Sequence, residues 1–140
     1  MEAMHDRRQT RLLGVSNMSL EQLQALHEMA RIKPAFIQNR CFAHDQWDLA
    51  VRRFCSANDM VYQGFSLLTA NARELASPTM QNLVQRTGFT TAQLVFCFAL
   101  HSGMIPLTGT TSEAHMREDL ASLNLELSDD DVAAIEQIAR

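Results

Sequence analysis

Arg11-Leu12-Leu13-Gly14-Val15-Ser16-Asn17-Met18-Ser19-Leu20-Glu21-Gln22 is the stretch on which the fold turns. Its first half is a short apolar run closed by polar residues, the pattern of a strand buried on both faces. Its second half starts a helix. Ser19 followed three residues later by Gln22 forms a capping box. Leu20, Leu23, Leu26 and Ala30 then recur at helical spacing. A buried strand passing directly into an amphipathic helix is the opening of a βα unit.

The same unit recurs along the chain. Upstream, Glu2 to Arg8 reads as the tail of a helix. Downstream, Pro34 to Gln38 carries Ala35, Phe36 and Ile37 as a second apolar run. Gln46 to Ala57 then places Trp47, Ala50, Val51, Phe54 and Cys55 on one helical face. Met60 to Ser66 is a third strand. Ser77-Pro78 starts a helix, with Ser as cap and Pro in the first turn, and Gly88 fits its C-terminal cap. Thr90 with Gln93 is a second capping box; its helix runs to about His101 and stops at Gly103. Met104 to Thr108 is a fourth strand, Ser112 to Ala121 a further helix, and Ser128 caps a last helix through Ile138. The order β-α-β-α-β-α-α-β-α-α predicts an α/β fold with a parallel sheet. It has four strands with surrounding helices, shaped as the parallel (β/α) half of a TIM barrel.

Composition narrows the function classes. The 140 residues make one domain, 46% hydrophobic and 20% charged, without the signature of disorder. A net charge of -4 gives no general attraction to nucleic acid or to anionic lipid. No apolar run approaches the ~20 residues that span a bilayer. The charged stretch Met1 to Arg11 lacks the apolar core of a signal peptide, so a cytoplasmic protein is expected. Cys41, Cys55 and Cys97 form no close pairs, and buried thiols are expected. The five histidines offer no ligand pair at helical spacing, so no metal site is expected.

In parallel α/β proteins ligands bind beyond the carboxyl ends of the strands. Here those ends are Ser16-Asn17, Gln38-Asn39, Phe65-Ser66 and Thr108 to Thr111. They offer neutral hydroxyls and amides with one aromatic ring, which suits a polar planar ligand better than acid–base chemistry. The loop from Thr108 to Ser112 also feeds a helix N-terminus, where free N–H groups favour a phosphate. Each feature has a plainer reading: Ser and Asn as caps, Gln38 as a partner for buried backbone, Phe65 as core. Residue patterns alone leave these alternatives open.

Five segments, in order and at matching spacing, resemble the aldo/keto reductases. Gly14 to Ser19 is similar to their Gly-Val-Ser-Asn-Phe-Ser run, Pro34 to Asn39 to their next strand and Gln63 to Leu68 to the one after. Ile105 to Ser112 with Arg117 to Leu120 resembles their last strand and cofactor-gripping helix, and Leu127 to Asp131 the start of their terminal helix. That family folds as an eight-stranded (β/α) barrel and reduces aldehydes and ketones with NADP(H). The match begins at the end of its fourth helix. Residues 1–140 are thus expected to be the C-terminal half, strands five to eight, with the N-terminal catalytic half absent.

The resemblance implies that Ser16, Asn17 and Gln38 hydrogen-bond the nicotinamide carboxamide. Phe65 stands where the family usually stacks a Tyr on the nicotinamide ring, and a Phe keeps that face. Ser66 and Leu68 match positions along the pyrophosphate. Thr110 and Thr111 match the segment at the adenosine 2′-phosphate, and Glu118 and Asp119 positions near the adenine. Two departures affect the phosphate. Gly109 stands where the family often has Lys, and His115 where it often has Arg. Arg gives a bidentate grip that His does not match. NADP(H) is therefore expected with NAD(H) as the alternative, and Arg117 is a nearby further source of charge.

The family's catalytic Asp, Tyr, Lys and His lie on its first four strands and have no counterpart here. Tyr62 and Lys33, the only tyrosine and lysine, lie outside any family catalytic motif. The expectation is an oxidoreductase represented by its cofactor-binding half and inactive alone. The alternative is a non-catalytic half barrel whose open edges pair with a second copy, giving a homodimer, or with a complementary N-terminal half.

Overall fold

The computed structural model describes residues 1–140. The four apolar runs become β1 (Gly14–Ser16), β2 (Phe36–Arg40), β3 (Val61–Phe65) and β4 (Met104–Pro106). They pair in parallel in the order β1-β2-β3-β4, so β1 and β4 are free edges. The helices are α1 (Glu2–Asp6), α2 (Leu20–Met29), α3 (Leu49–Ala57), α4 (Ala72–Leu75), α5 (Pro78–Thr87), α6 (Thr91–His101), α7 (Glu113–Ala121) and α8 (Asp129–Glu136). Both capping boxes form, Ser19 with Gln22 and Thr90 with Gln93. Ser77 caps α5, and Gly88 ends it at φ 74°, a left-handed turn that glycine adopts without strain.

Strand periodicity sorts the side chains onto two faces. Ile37, Asn39, Tyr62 and Met104 are buried on the helix side. Phe36, Gln38, Gln63 and Phe65 are only half-buried, and Ile105 is exposed. The sheet is therefore covered by helices on one face and open on the other. The core lies between sheet and helices, where Trp47, Phe98, Leu23, Ile37 and Ile135 are shielded from solvent. All three cysteines are free and buried there, and burial pushes the Cys41 thiol up to about 12.

Two expectations fail for identifiable reasons. β1 is not buried on both faces: Gly14 and Ser16 are exposed, because they point to the open side of an edge strand. The helix expected from Gln46 begins at Leu49, because Gln46, Trp47 and Asp48 adopt left-handed φ values of 52°, 55° and 58°. Their helical spacing is real, but the backbone turns the opposite way before α3 starts.

The carboxyl-terminal helix is pinned electrostatically. Asp131 sits in the first turn of α8, where Ser128 caps its N–H and its carboxylate pairs with Arg86 of α5. Burial raises its pKa, but the hydrogen bonds from Ser128 and the Arg86 charge outweigh this and hold the carboxyl below its ordinary 3.8. A depressed folded-state pKa stabilises the fold above the unfolded value and loses that contribution as pH falls through the folded one. Thermal melts across the acid range should show wild type losing stability below about pH 4, and Asp131→Asn should start lower and fall less steeply. Parallel curves for the two proteins would refute this role.

Candidate functional site

The carboxyl ends of the strands gather most of the expected residues on one side of the molecule. Ser16, Gln38 and Gln63 occupy one rung across β1, β2 and β3. Ser16 Oγ donates to the Gln38 carbonyl at 2.8 Å, and Asn17 N–H donates to the same oxygen at 3.0 Å. Gln38 Nε2 donates to Gln63 Oε1 at 3.3 Å. The amide groups left over (the Asn17 side chain, Gln38 Oε1 and Gln63 Nε2) are donors and acceptors of the kind a carboxamide needs. Gln63 was missed as a site residue from the sequence. The signal was there, since it lies two residues before Phe65 and so on the same strand face.

Two strand tips carry left-handed backbone, Asn17 at φ 54° after β1 and Ser66 at φ 57° after β3. Such conformations cost of order 1–3 kcal/mol and persist only where the surroundings enforce them. Asn17 N–H is held by the Gln38 carbonyl, and the next residue, Met18, is clamped by Asn39. Although Asn39 follows Gln38 in sequence, its side chain points to the helix face and is buried. Its Oδ1 accepts from Met18 N–H at 3.1 Å, while its Nδ2 donates to the Met18 carbonyl at 2.9 Å and to Asp48 Oδ2 at 2.8 Å. Asp48 also accepts from Tyr62 Oη at 2.8 Å. Tyr62 therefore serves this network, and burial, with the negative charge of Asp48 nearby, raises its pKa. It faces away from the open side and is no proton donor there.

From Phe65 the site continues along two clefts. One of about 240 Å³ lies between the β3 and β4 tips and is lined by Ser66, Leu68, Thr108 and Gly109. The other, about 520 Å³, shares Thr108 and Gly109 and reaches Thr110 and Asp119. Thr108 Oγ1 donates to Asp119 Oδ2 at 3.0 Å, and Thr110 Oγ1 lies 3.5 Å from His115 Nδ1. Thr111 and His115 are exposed. Ser112 caps α7. Two groups are occupied elsewhere: Glu118 accepts from Thr90, and Arg117 pairs with Glu113 one turn earlier at 2.6 Å. This end of the cleft thus has no free arginine from α7, and His115 stands exposed beside Thr110.

The family model for the aldo/keto reductase family matches residues 1–140. The chain belongs to the aldo/keto reductase family. Aldo-keto reductase family 4 member C11 of Arabidopsis thaliana is 32% identical over 85% of this chain and 39% of its own length. Glycerol 2-dehydrogenase (NADP(+)) of Hypocrea jecorina is 27% identical over 100% of this chain and 45% of its own. Among solved structures, an aldo-keto reductase from a Medee basin deep-sea metagenome superposes with a TM-score of 0.87 at 16% identity, over 98% of this chain and 52% of that one. A silkworm aldo-keto reductase complexed with NADPH gives 0.85 at 22% identity, over 98% and 45%. The chain thus spans about half the length of these relatives, and its sheet and helices match half of an aldo/keto reductase (β/α) barrel.

Proposed function

We propose that these residues form the cofactor-holding half of an NADP(H)-dependent reductase of aldehydes and ketones. The observation that carries this reading is the hydrogen-bonded rung Ser16–Gln38–Gln63 beside the ring of Phe65. It presents amide groups and an aromatic face together, as a nicotinamide needs. Ser16, Asn17 and Gln38 would hold the carboxamide, with Phe65 against the ring. Ser66 and Leu68 would follow the pyrophosphate, Thr110, Thr111 and His115 the 2′-phosphate, and Asp119 the adenine. Glu118 would act from its bond to Thr90. Relatives support the same cofactor, since one is glycerol 2-dehydrogenase (NADP(+)) and one structure contains NADPH. With His115 where the family often has Arg, and Arg117 paired with Glu113, discrimination between NADPH and NADH should be weak.

No residue in 1–140 matches the family's proton donor, so the chain by itself should consume no NADPH with any carbonyl compound. Calorimetry with NADPH and NADH tests binding separately from turnover. Phe65→Ala should weaken NADPH by about tenfold through lost stacking and burial, while Phe65→Tyr should bind as wild type. Absence of saturable binding for both dinucleotides, or an unchanged affinity in Phe65→Ala, would overturn the reading.

A second reading is favoured by the sheet's two free edges and by the apolar 520 Å³ cleft beside β4, where Ile105, Leu120 and Leu123 are exposed. Open edges and apolar patches of this kind invite pairing. A second copy or a complementary N-terminal half joining β4 to its own first strand would close an eight-stranded barrel.

A further inference from the structure

Arg40 is the last residue of β2, and its partner in register on β3 is Phe65. The chain stays extended through Phe42, at φ -112° and ψ 131°. Strand alternation therefore continues past the end of β2. Cys41 and Ala43 are buried against the helices, while Arg40 lies on the same strand face as Gln38 and is exposed. The Arg40 guanidinium rests 5.4 Å from the centroid of the Phe42 ring, which is itself 5.0 Å from the His44 ring. Of the two carboxylates in the loop that follows, Asp48 is turned to Asn39 and Tyr62, and Asp45 makes no ion pair. No carboxylate pairs with the Arg40 guanidinium and no hydrogen bond engages it; other surface arginines share that freedom, but Arg40 has it beside Phe65 on the open face.

We propose that Arg40 is an oxyanion anchor at the mouth of the site, recognising a carboxylate or phosphate group of the ligand that lies over Phe65. A guanidinium presents two parallel N–H donors that match either oxyanion. Support from an aromatic face limits the orientations it must give up on binding. A ligand lying over Phe65 also excludes water from the guanidinium, which strengthens the pairing. Two sources share this chemistry: the carboxylate of an anionic carbonyl substrate and the diphosphate of the dinucleotide. The proposal rests on the reading that a dinucleotide occupies this face, and it adds the charge of what is bound there.

Calorimetry on the full chain separates the cases. NADP+ is titrated first. Phenylglyoxylate and its uncharged methyl ester are then titrated into NADP+-saturated and into free protein. If Arg40 takes the substrate carboxylate, phenylglyoxylate binds the loaded protein about tenfold tighter than the ester. Arg40→Gln then erases that difference and leaves NADP+ affinity unchanged. If it takes the diphosphate, Arg40→Gln weakens NADP+ about tenfold, and acid and ester are equivalent. In either case Arg40→Lys retains part of the effect, and Arg53→Gln, an exposed arginine on α3, retains all of it. NADP+ binding that is untouched by Arg40→Gln, with acid and ester equal, overturns the anchor while the cofactor reading stands. If wild type fails to bind NADP+, the cofactor reading fails first. The free-protein titrations then decide the anchor, and equal affinity for acid and ester overturns it as well.

Discussion

Trp47→Ala is expected to destabilise the fold by ~3–5 kcal/mol, a large part of the ~5–15 kcal/mol that holds a typical domain together. The indole is fully buried and packs against Phe98 with ring centroids 5.3 Å apart. Its Nε1–H donates to the Ile135 carbonyl in α8 at 2.9 Å, tying the loop after β2 to the far end of the chain. The backbone beneath it is strained, since three consecutive non-glycine residues are left-handed at ~1–2 kcal/mol each. Named contacts offset that cost. Arg52 Nε donates to the Trp47 carbonyl at 2.8 Å, and the same guanidinium pairs with Glu136 at 2.8 Å. Without the indole, the turn loses its packing and keeps its strain. Trp47→Phe separates the parts: the ring volume is largely retained and the bond to Ile135 lost, so ~1–2 kcal/mol is expected. Urea unfolding followed by circular dichroism measures both. A Trp47→Ala cost below about 1 kcal/mol would show that the turn does not depend on the indole.

The same turn shows where the sequence is readable and where it is not. Strands and caps are local. Ser19 with Gln22, Thr90 with Gln93, and Ser77-Pro78 each announce a helix start through interactions within a few residues, and each forms. Four apolar runs separated by helices likewise dictate the parallel order. The run Gln46-Trp47-Asp48 carries no such local mark. Its handedness is held by side-chain partners outside the run, Arg52 on the carbonyls of Gln46 and Trp47, Ile135 on the indole, and Asn39 with Tyr62 on Asp48. The apolar spacing around Trp47 therefore predicts burial correctly and backbone wrongly. A related limit applies to β1. Its apolar run predicts two covered faces, yet β1 lies at the edge of the sheet with Gly14 and Ser16 exposed, and a strand's place in the sheet is not written in its own residues.

The candidate site divides in the same way. Ser16, Gln38 and Phe65 could be placed because strand ends and alternation are sequence properties, and the structure sets them on one side. Which of two adjacent amides faces the open side of the sheet and which faces the helices also follows from alternation. What each amide then binds does not. Asn39 reads as a second polar tip, but it is buried and holds a neighbouring loop. Arg117 reads as charge available to a phosphate, but Glu113 one helical turn away takes it.

Asn39→Leu should cost about 3 kcal/mol in stability and weaken NADPH by more than tenfold, the second effect following from the first by geometry. Leucine keeps the branched outline of asparagine in a bulkier, apolar form and can neither accept from Met18 N–H nor donate to the Met18 carbonyl and to Asp48. Those groups are partly or wholly shielded, so leaving them unmade costs more than the bonds' net worth. The loop they release is the one that carries Asn17 in its left-handed conformation beside Ser16. Without Asn39 nothing else listens to Met18, and Asn17 should relax toward ordinary backbone, moving its side chain and the Ser16 hydroxyl off the Gln38 rung. A useful contrast is Asn71→Leu. Asn71 is equally buried and bonds Ala43 N–H and the Cys41 and Leu67 carbonyls, so its loss should cost similar stability while leaving Met18 clamped. Comparing the two at a temperature where both remain folded isolates positioning from stability. If NADPH affinity falls equally in both, or in neither, Asn39 is a structural residue only, and the link from the helix-facing amide to the open-face one is wrong.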